Sequence, residues 1–267
     1  MLGWSINLFR VFGIQLAVHA SFFLLLAYYG YEGLREGGVA GACWRLSLIV
    51  SFFICVVLHE LGHSLTAQRF GVRVPRILLL PIGGMAEFDR IPRKPSQELL
   101  ITIAGPAVNF LLAGVLFLIV GSEVDQNAGA PRYSFAFLLD QLWAANVFMG
   151  AFNLLPVFPM DGGRIFRAFL AMKLPYLRAS YWAMITGKIL ALSFAMFALF
   201  YFKDREVRAQ LALLFMFIFW AGGLEYKHIL RRDEEERYWA DASSRVDFVS
   251  MKGEGDSAPP LIRPGRS

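Results

Sequence analysis

The chain has 267 residues, 57% of them apolar and 18% charged, with a mean hydropathy of +0.50. Soluble domains sit near half apolar and a quarter charged, so this composition excludes an ordinary soluble domain and equally a disordered or collagen-like chain. The two cysteines, Cys43 and Cys55, form no CxxC pair and exclude a disulfide scaffold.

A helix needs about 20 residues to cross a bilayer. Apolar runs between charged or Gly/Pro breaks predict spans at Val11–Tyr29, Leu46–Thr66, Leu99–Val120, Phe135–Pro156, Tyr181–Phe202 and Val207–Leu224. The first begins without a basic start or a small-residue cleavage site, and is read as a retained span rather than a signal peptide. Between the second and third spans, Ile77–Phe88 is apolar but too short to cross and is broken by Pro81 and Gly83–Gly84, as expected of a re-entrant hairpin. The fold class is therefore an all-α polytopic membrane protein with about six transmembrane helices and a short re-entrant β-hairpin. A membrane core is expected over 1–230 and a charged cytoplasmic tail over 231–267. The tail opens Arg-Arg-Asp-Glu-Glu-Glu-Arg, continues the last helix briefly and ends rich in Gly, Ser and Pro.

Lys and Arg fall unequally on the two sides of such a bundle. Arg10, Arg69, Arg73, Arg76, Arg90, Arg93, Lys94, Arg164, Arg167, Lys173 and Arg178 share a side with the basic residues of the tail. The other side holds Arg35, Arg45, Arg132, Lys203, Arg205 and Arg208, and Lys188 lies within a span. The positive-inside rule then puts both termini in the cytoplasm of a multi-pass cell-membrane protein. The net charge of +5 reflects this bias and attraction to anionic lipid. No basic stripe interleaved with aromatics points to nucleic acid.

The second span carries His59, Glu60 and His63 in an otherwise apolar helix. Ionisable groups at membrane depth each cost about 2.5–3.5 kcal/mol on insertion scales, so three together call for a compensating partner. Residues i and i+4 lie about 40° apart around a helix, which stacks the two imidazoles so that they can grip one metal ion. Glu60 lies about 100° round from His59, able to reach a water beside the ion. This is the HExxH pattern of zinc peptidases.

Catalytic zinc usually takes three protein ligands. Cys55 lies about 12 Å from His63 along the axis and is read as core. The second and fourth spans run in the same direction, so the third ligand must come from the cytoplasmic end of the fourth. Asp140 is at the wrong end, and Glu123 and Asp125 are in the opposite loop. Asp161, in the proline- and glycine-broken stretch after Asn153, is the expected ligand, with Glu87 and Asp89 as alternatives. A helix N-cap for Gly162–Met172 is the other reading of Asp161. Asn109 is read as glue between helices, Asn153 as a substrate contact, and His19 as a buried histidine with a carbonyl partner.

From about Gly13 to Lys173 the sequence resembles the site-2 protease family of intramembrane zinc metalloproteases. The likeness rests on His59–His63, Gly83-Gly-Met-Ala, Gly105-Pro-Ala-Val-Asn, and Asn153 with Asp161-Gly-Gly. It implies one zinc ion per chain on His59, His63 and Asp161, with Glu60 as general base. It also implies hydrolysis of a peptide bond in or near a transmembrane segment of a membrane-tethered regulatory protein, releasing a cytoplasmic fragment. An unwound substrate needs something to hold it, and the Ile77–Phe88 hairpin is expected to do so through Gly83, Gly84 and Met85, with Asn153 nearby. The alternative for the hairpin is a plug in the bundle. The expected partners are a membrane-spanning substrate, the bilayer and a regulatory membrane protein. The chain leaves no room for the PDZ or CBS modules of many relatives, so control is expected from partners or substrate access.

Two other classes compete. A zinc transporter or metal sensor would use the same ligands, but transporters tend to show repeated half-sites and this chain has one site and no repeat. A silent scaffold that only grips membrane helices would not need Glu60.

Overall fold

The computed structural model describes residues 4–89, 94–120 and 134–252. Arg90, Arg93, Glu123, Asp125, Arg132 and the tail beyond Lys252 lie outside the described residues. The chain is mostly helical. Among the described residues, five helices are long and apolar enough to cross a membrane: α1 (Ser21–Arg69), α2 (Pro95–Val120), α3 (Phe135–Asn153), α5 (Tyr176–Tyr201) and α6 (Arg205–Lys252). The shorter α4 (Asp161–Ala171) lies between α3 and α5.

Helix α1 is two rods. Gly37 and Gly38 leave helical geometry, Gly38 with φ +62°, and the arms fold back on one another. Phe22 and Phe53 meet edge to face with ring centroids 4.6 Å apart. A Cβ at Gly33 would lie 2.7 Å from the Ala42 Cα, so only glycine lets the arms come so close below the turn. The folded first helix and the four others together supply the six rods expected.

The start of the chain differs from the expected helix over Val11–Tyr29. Here β1 (Ser5–Val11) and β2 (Ile14–His19) form an antiparallel hairpin, and helix begins only at Ser21. The reversal is made by Phe12 and Gly13, both with positive φ, at 50° and 80°. Ile14, Leu16 and Val18 then join one buried cluster, a strand's period of two, and Ala17 between them is buried as well. His19 Nδ1 accepts the Ser21 backbone N–H at 3.2 Å and contacts its hydroxyl at 2.7 Å, so its partner is the head of α1 rather than a carbonyl.

The short hairpin is present as β3 (Arg76–Leu80) and β4 (Gly83–Glu87), but it is joined to the N-terminal strands. The sheet runs β1-β2-β3-β4, with β2 and β3 parallel and the other pairs antiparallel. Strand β4 is an edge. One buried cluster joins Ile14, Leu16, Ile77 and Leu79 of the sheet to Phe53, Val56 and Leu61 of α1, which fixes the sheet against the helix that carries the histidines.

Helix α3 stops at Asn153, short of the predicted end at Pro156, and residues 154–160 turn the chain into α4. Helix α6 continues unbroken past Leu224 to Lys252, through the boundary placed at 230. Mixed charge at helical spacing supports this extension, as in the i,i+4 pair Arg237–Asp233 at 2.7 Å.

Candidate metal centre

The centre is assembled where the second arm of α1, the first half of α2 and the start of α4 converge. His59 and His63 are 5% and 7% exposed, one turn apart on α1. Opposite them α2 presents Gly105, where any side chain would overlap both imidazoles, while a Cβ at Gly62 of α1 would lie 2.7 Å from the Ala104 carbonyl oxygen. These two glycines let the helices approach with the two rings between them, edge to face with centroids 4.7 Å apart. Helix α4 is seated by another pair: a side chain at Gly162 would overlap the carbonyls of Leu154 and Leu155, and a Cβ at Gly163 would lie 2.7 Å from the Phe158 nitrogen. Tight packing of α4's first turn on this bend brings Asp161 under the histidines.

Asp161 Oδ2 lies 3.3 Å from His59 Nε2 and 3.2 Å from His63 Nε2, and the two Nε2 atoms are 3.1 Å apart. Tetrahedral coordination with zinc–ligand bonds of about 2.0–2.1 Å separates neighbouring ligands by about 3.3–3.4 Å, so the triangle has the edges of one face of a zinc tetrahedron. The protonation pattern agrees. His63 Nδ1 is 2.8 Å from the Ile101 carbonyl, which can only accept, so that nitrogen carries the proton and Nε2 a lone pair. His59 Nδ1 meets Asn109 Oδ1 at 2.5 Å. Asp161 Oδ2 is buried without a hydrogen-bond partner. Three electron-rich atoms in contact repel unless a cation lies among them, and neutral imidazoles whose Nδ1–H donates to a carbonyl or carboxylate oxygen are the usual zinc arrangement. The residues fit the ion.

Among the described residues, His59, His63 and Asp161 form a group whose ligand atoms all lie within 4.8 Å of one another. Neither Glu87 nor Asp89 joins this group; Glu87 pairs with Arg76 at 2.6 Å on the sheet, and Asp161 is the first residue of α4, whose cap is Met160. Cys55 is buried as expected.

A cavity of about 230 Å³ opens beside His59, His63 and Asp161, and Glu60, Gly84, Met85 and Asn153 line it. Gly83 is not in its wall; it pairs with Leu80 at the hairpin turn. A Cβ at Gly84 would lie 2.6 Å from Glu60 Cγ, so β4 passes directly over that carboxylate. Gly84→Ala is expected to displace the Glu60 side chain, lowering turnover about 10-fold or more while metal content stays at the wild-type level; plasma emission spectrometry beside a cleavage assay separates the two.

Sequence reasoning missed the charged floor of this cavity. Arg167, 1% exposed, donates to Glu98 Oε1 through Nε at 2.8 Å and through a terminal nitrogen. Its guanidinium lies 5.3 Å and 5.1 Å from the ring centroids of Phe158 and Tyr176. The pair ties α2, which backs the histidines, to α4, which carries Asp161. A lone glutamate at the head of an apolar span was the available signal. Asn109 also does more than join helices, since it meets the His59 imidazole at Nδ1.

An apolar bundle with an edge strand beside two histidines and one carboxylate makes a candidate metal centre among helices long and apolar enough to cross a membrane. Residues 47–194 match peptidase family M50. A zinc metalloprotease of Methanocaldococcus jannaschii, MJ0392, is 43% identical over 199 residues, which cover 74% of this chain and 55% of that protein. Stage IV sporulation protein FB of Bacillus subtilis is 27% identical over 201 residues, covering 73% of this chain and 65% of its own. The solved site-2 protease from M. jannaschii superposes with a TM-score of 0.58 at 37% identity, covering 84% of this chain and 95% of that one. The chain thus spans 55% and 65% of these two curated relatives. It belongs to peptidase family M50, the site-2 proteases, and is a multi-pass membrane protein of that fold.

Proposed function

We propose that this chain is a zinc-dependent intramembrane endopeptidase that hydrolyses a peptide bond within or beside a transmembrane segment of another protein. The observation that carries the reading is Glu60, set next to the ligand histidine on α1 and beneath an edge strand. A transport or sensing site has no use for a carboxylate so placed. Zinc held by His59, His63 and Asp161 would lower the pKa of a water toward about 7 and polarise the scissile carbonyl.

The chain's own residues supply the rest. Glu60 takes the proton from the attacking water and passes it to the departing amine nitrogen. The outer edge of β4, at Gly84 and Met85, offers main-chain N–H and C=O groups to a substrate unwound into an extended strand, and Gly83 sets the turn from which that strand runs. Asn153, at the end of α3, offers its amide to the substrate backbone from across the cavity. In this reading both termini and the site face the cytoplasm, which the bias of Lys and Arg supports; cleavage frees a cytoplasmic fragment of a membrane-tethered regulator, and a membrane partner controls access.

The test is a cleavage assay in proteoliposomes with tagged single-span proteins. A shortened product is expected with the wild type and absent with His63→Ala. Product from both, or from neither across a broad substrate panel, contradicts the reading.

A further inference from the structure

Four side chains from three helices form a buried chain of hydrogen bonds behind His59. Asn109 of α2 and Asn146 of α3 are fully buried, and Cys55 of α1 is 7% exposed. Asn146 Nδ2 donates to the Leu142 carbonyl at 2.8 Å and to Cys55 Sγ at 3.3 Å. Its Oδ1 accepts from Asn109 Nδ2 at 2.9 Å, and Asn109 Oδ1 faces His59 Nδ1 at 2.5 Å.

The chain has a direction, and one group fixes it. A backbone carbonyl can only accept, so Leu142 forces the amide nitrogen of Asn146 toward itself and the oxygen toward Asn109. Asn109 must then turn its nitrogen to Asn146 and its oxygen to His59, and that oxygen requires a proton on His59 Nδ1. Reversing either amide would set two donors or two acceptors against each other in a buried site. The lone pair is thereby left on His59 Nε2, the atom nearest Asp161. We infer that Asn146, which touches neither metal nor substrate, is a positioning residue that sets the tautomer and orientation of His59 through Asn109. The inference rests on the metal centre described above and adds α3 to the elements that control it.

The experiment uses full-length protein in detergent, wild type and Asn146→Leu. Zinc affinity is measured by chelator competition, and the tautomer by 15N resonances of the ligand histidines in zinc-free protein. The wild type is expected to hold its proton on His59 Nδ1. The variant is expected to show mixed tautomers and about 10–100-fold weaker zinc binding, the usual size of the loss when a partner that orients a ligand is removed. Adding Asn109→Asp to Asn146→Leu should restore affinity, because a carboxylate accepts from His59 whichever way it faces; a merely structural defect would not be rescued. Wild-type affinity and tautomer in Asn146→Leu, or no rescue in the double variant, overturns the inference. So does a wild-type proton on Nε2, a result that needs no variant to fold. Failure of the wild type to bind zinc would instead sink the metal centre itself.

Discussion

Glu60→Gln is expected to leave zinc content, folding and substrate binding intact while lowering turnover by about 10²–10⁴, the range for loss of a general acid–base group. Glutamine has the same shape as glutamate but cannot accept a proton at neutral pH, so only the transfer steps are lost. Metal retention follows from geometry. The triangle of Nε2, Nε2 and Oδ2 is closed without Glu60, whose side chain lies instead under Gly84. Single-turnover cleavage in proteoliposomes and metal analysis on the same preparation give the two readouts. Wild-type turnover in this variant would reject proton transfer by Glu60.

Gly105→Ala is expected to abolish stoichiometric metal binding although the residue ligates nothing. The added methyl would overlap the His63 ring and lie 2.8 Å from His59 Cε1. Neither ring can swing clear easily, because Asn109 and the Ile101 carbonyl hold their Nδ1 atoms. The same helix supplies a control: a Cβ at Gly114 meets nothing within 4 Å, so Gly114→Ala should bind metal normally and be stabilised by up to about 1 kcal/mol through helix propensity. Metal titration of both variants checks the pair. Equal zinc occupancy would show that α1 and α2 are not held as closely as described.

Much of the centre was legible in the chain because it depends on local spacing. His59, Glu60 and His63 share one helix, where an interval of four residues by itself stacks two imidazoles. Asp161 needed one further step, matching depths on parallel spans. The N-terminal hairpin was not legible by the same means, since Val11 to Tyr29 is apolar apart from Gln15, His19 and Ser21 and long enough for a span, and its reversal depends on the backbone at Phe12 and Gly13. Asn146 is an amide in an apolar helix, as Asn109 and Asn153 are, but the chain gives no sign of its partner. Its meaning comes from facing Asn109, 37 residues away in sequence, and such a pairing between helices is set by packing alone. The Glu98–Arg167 tie, 69 residues apart, is hidden for the same reason, although a buried glutamate in an apolar helix announces that a cation must be near.

X-ray absorption at the zinc edge of the purified wild-type protein tests the metal centre most directly. One ion per chain is predicted, with nitrogen and oxygen neighbours at about 2.0–2.1 Å and outer scattering from two imidazoles. Substoichiometric metal, or a sulfur neighbour at about 2.3 Å, would contradict coordination by His59, His63 and Asp161.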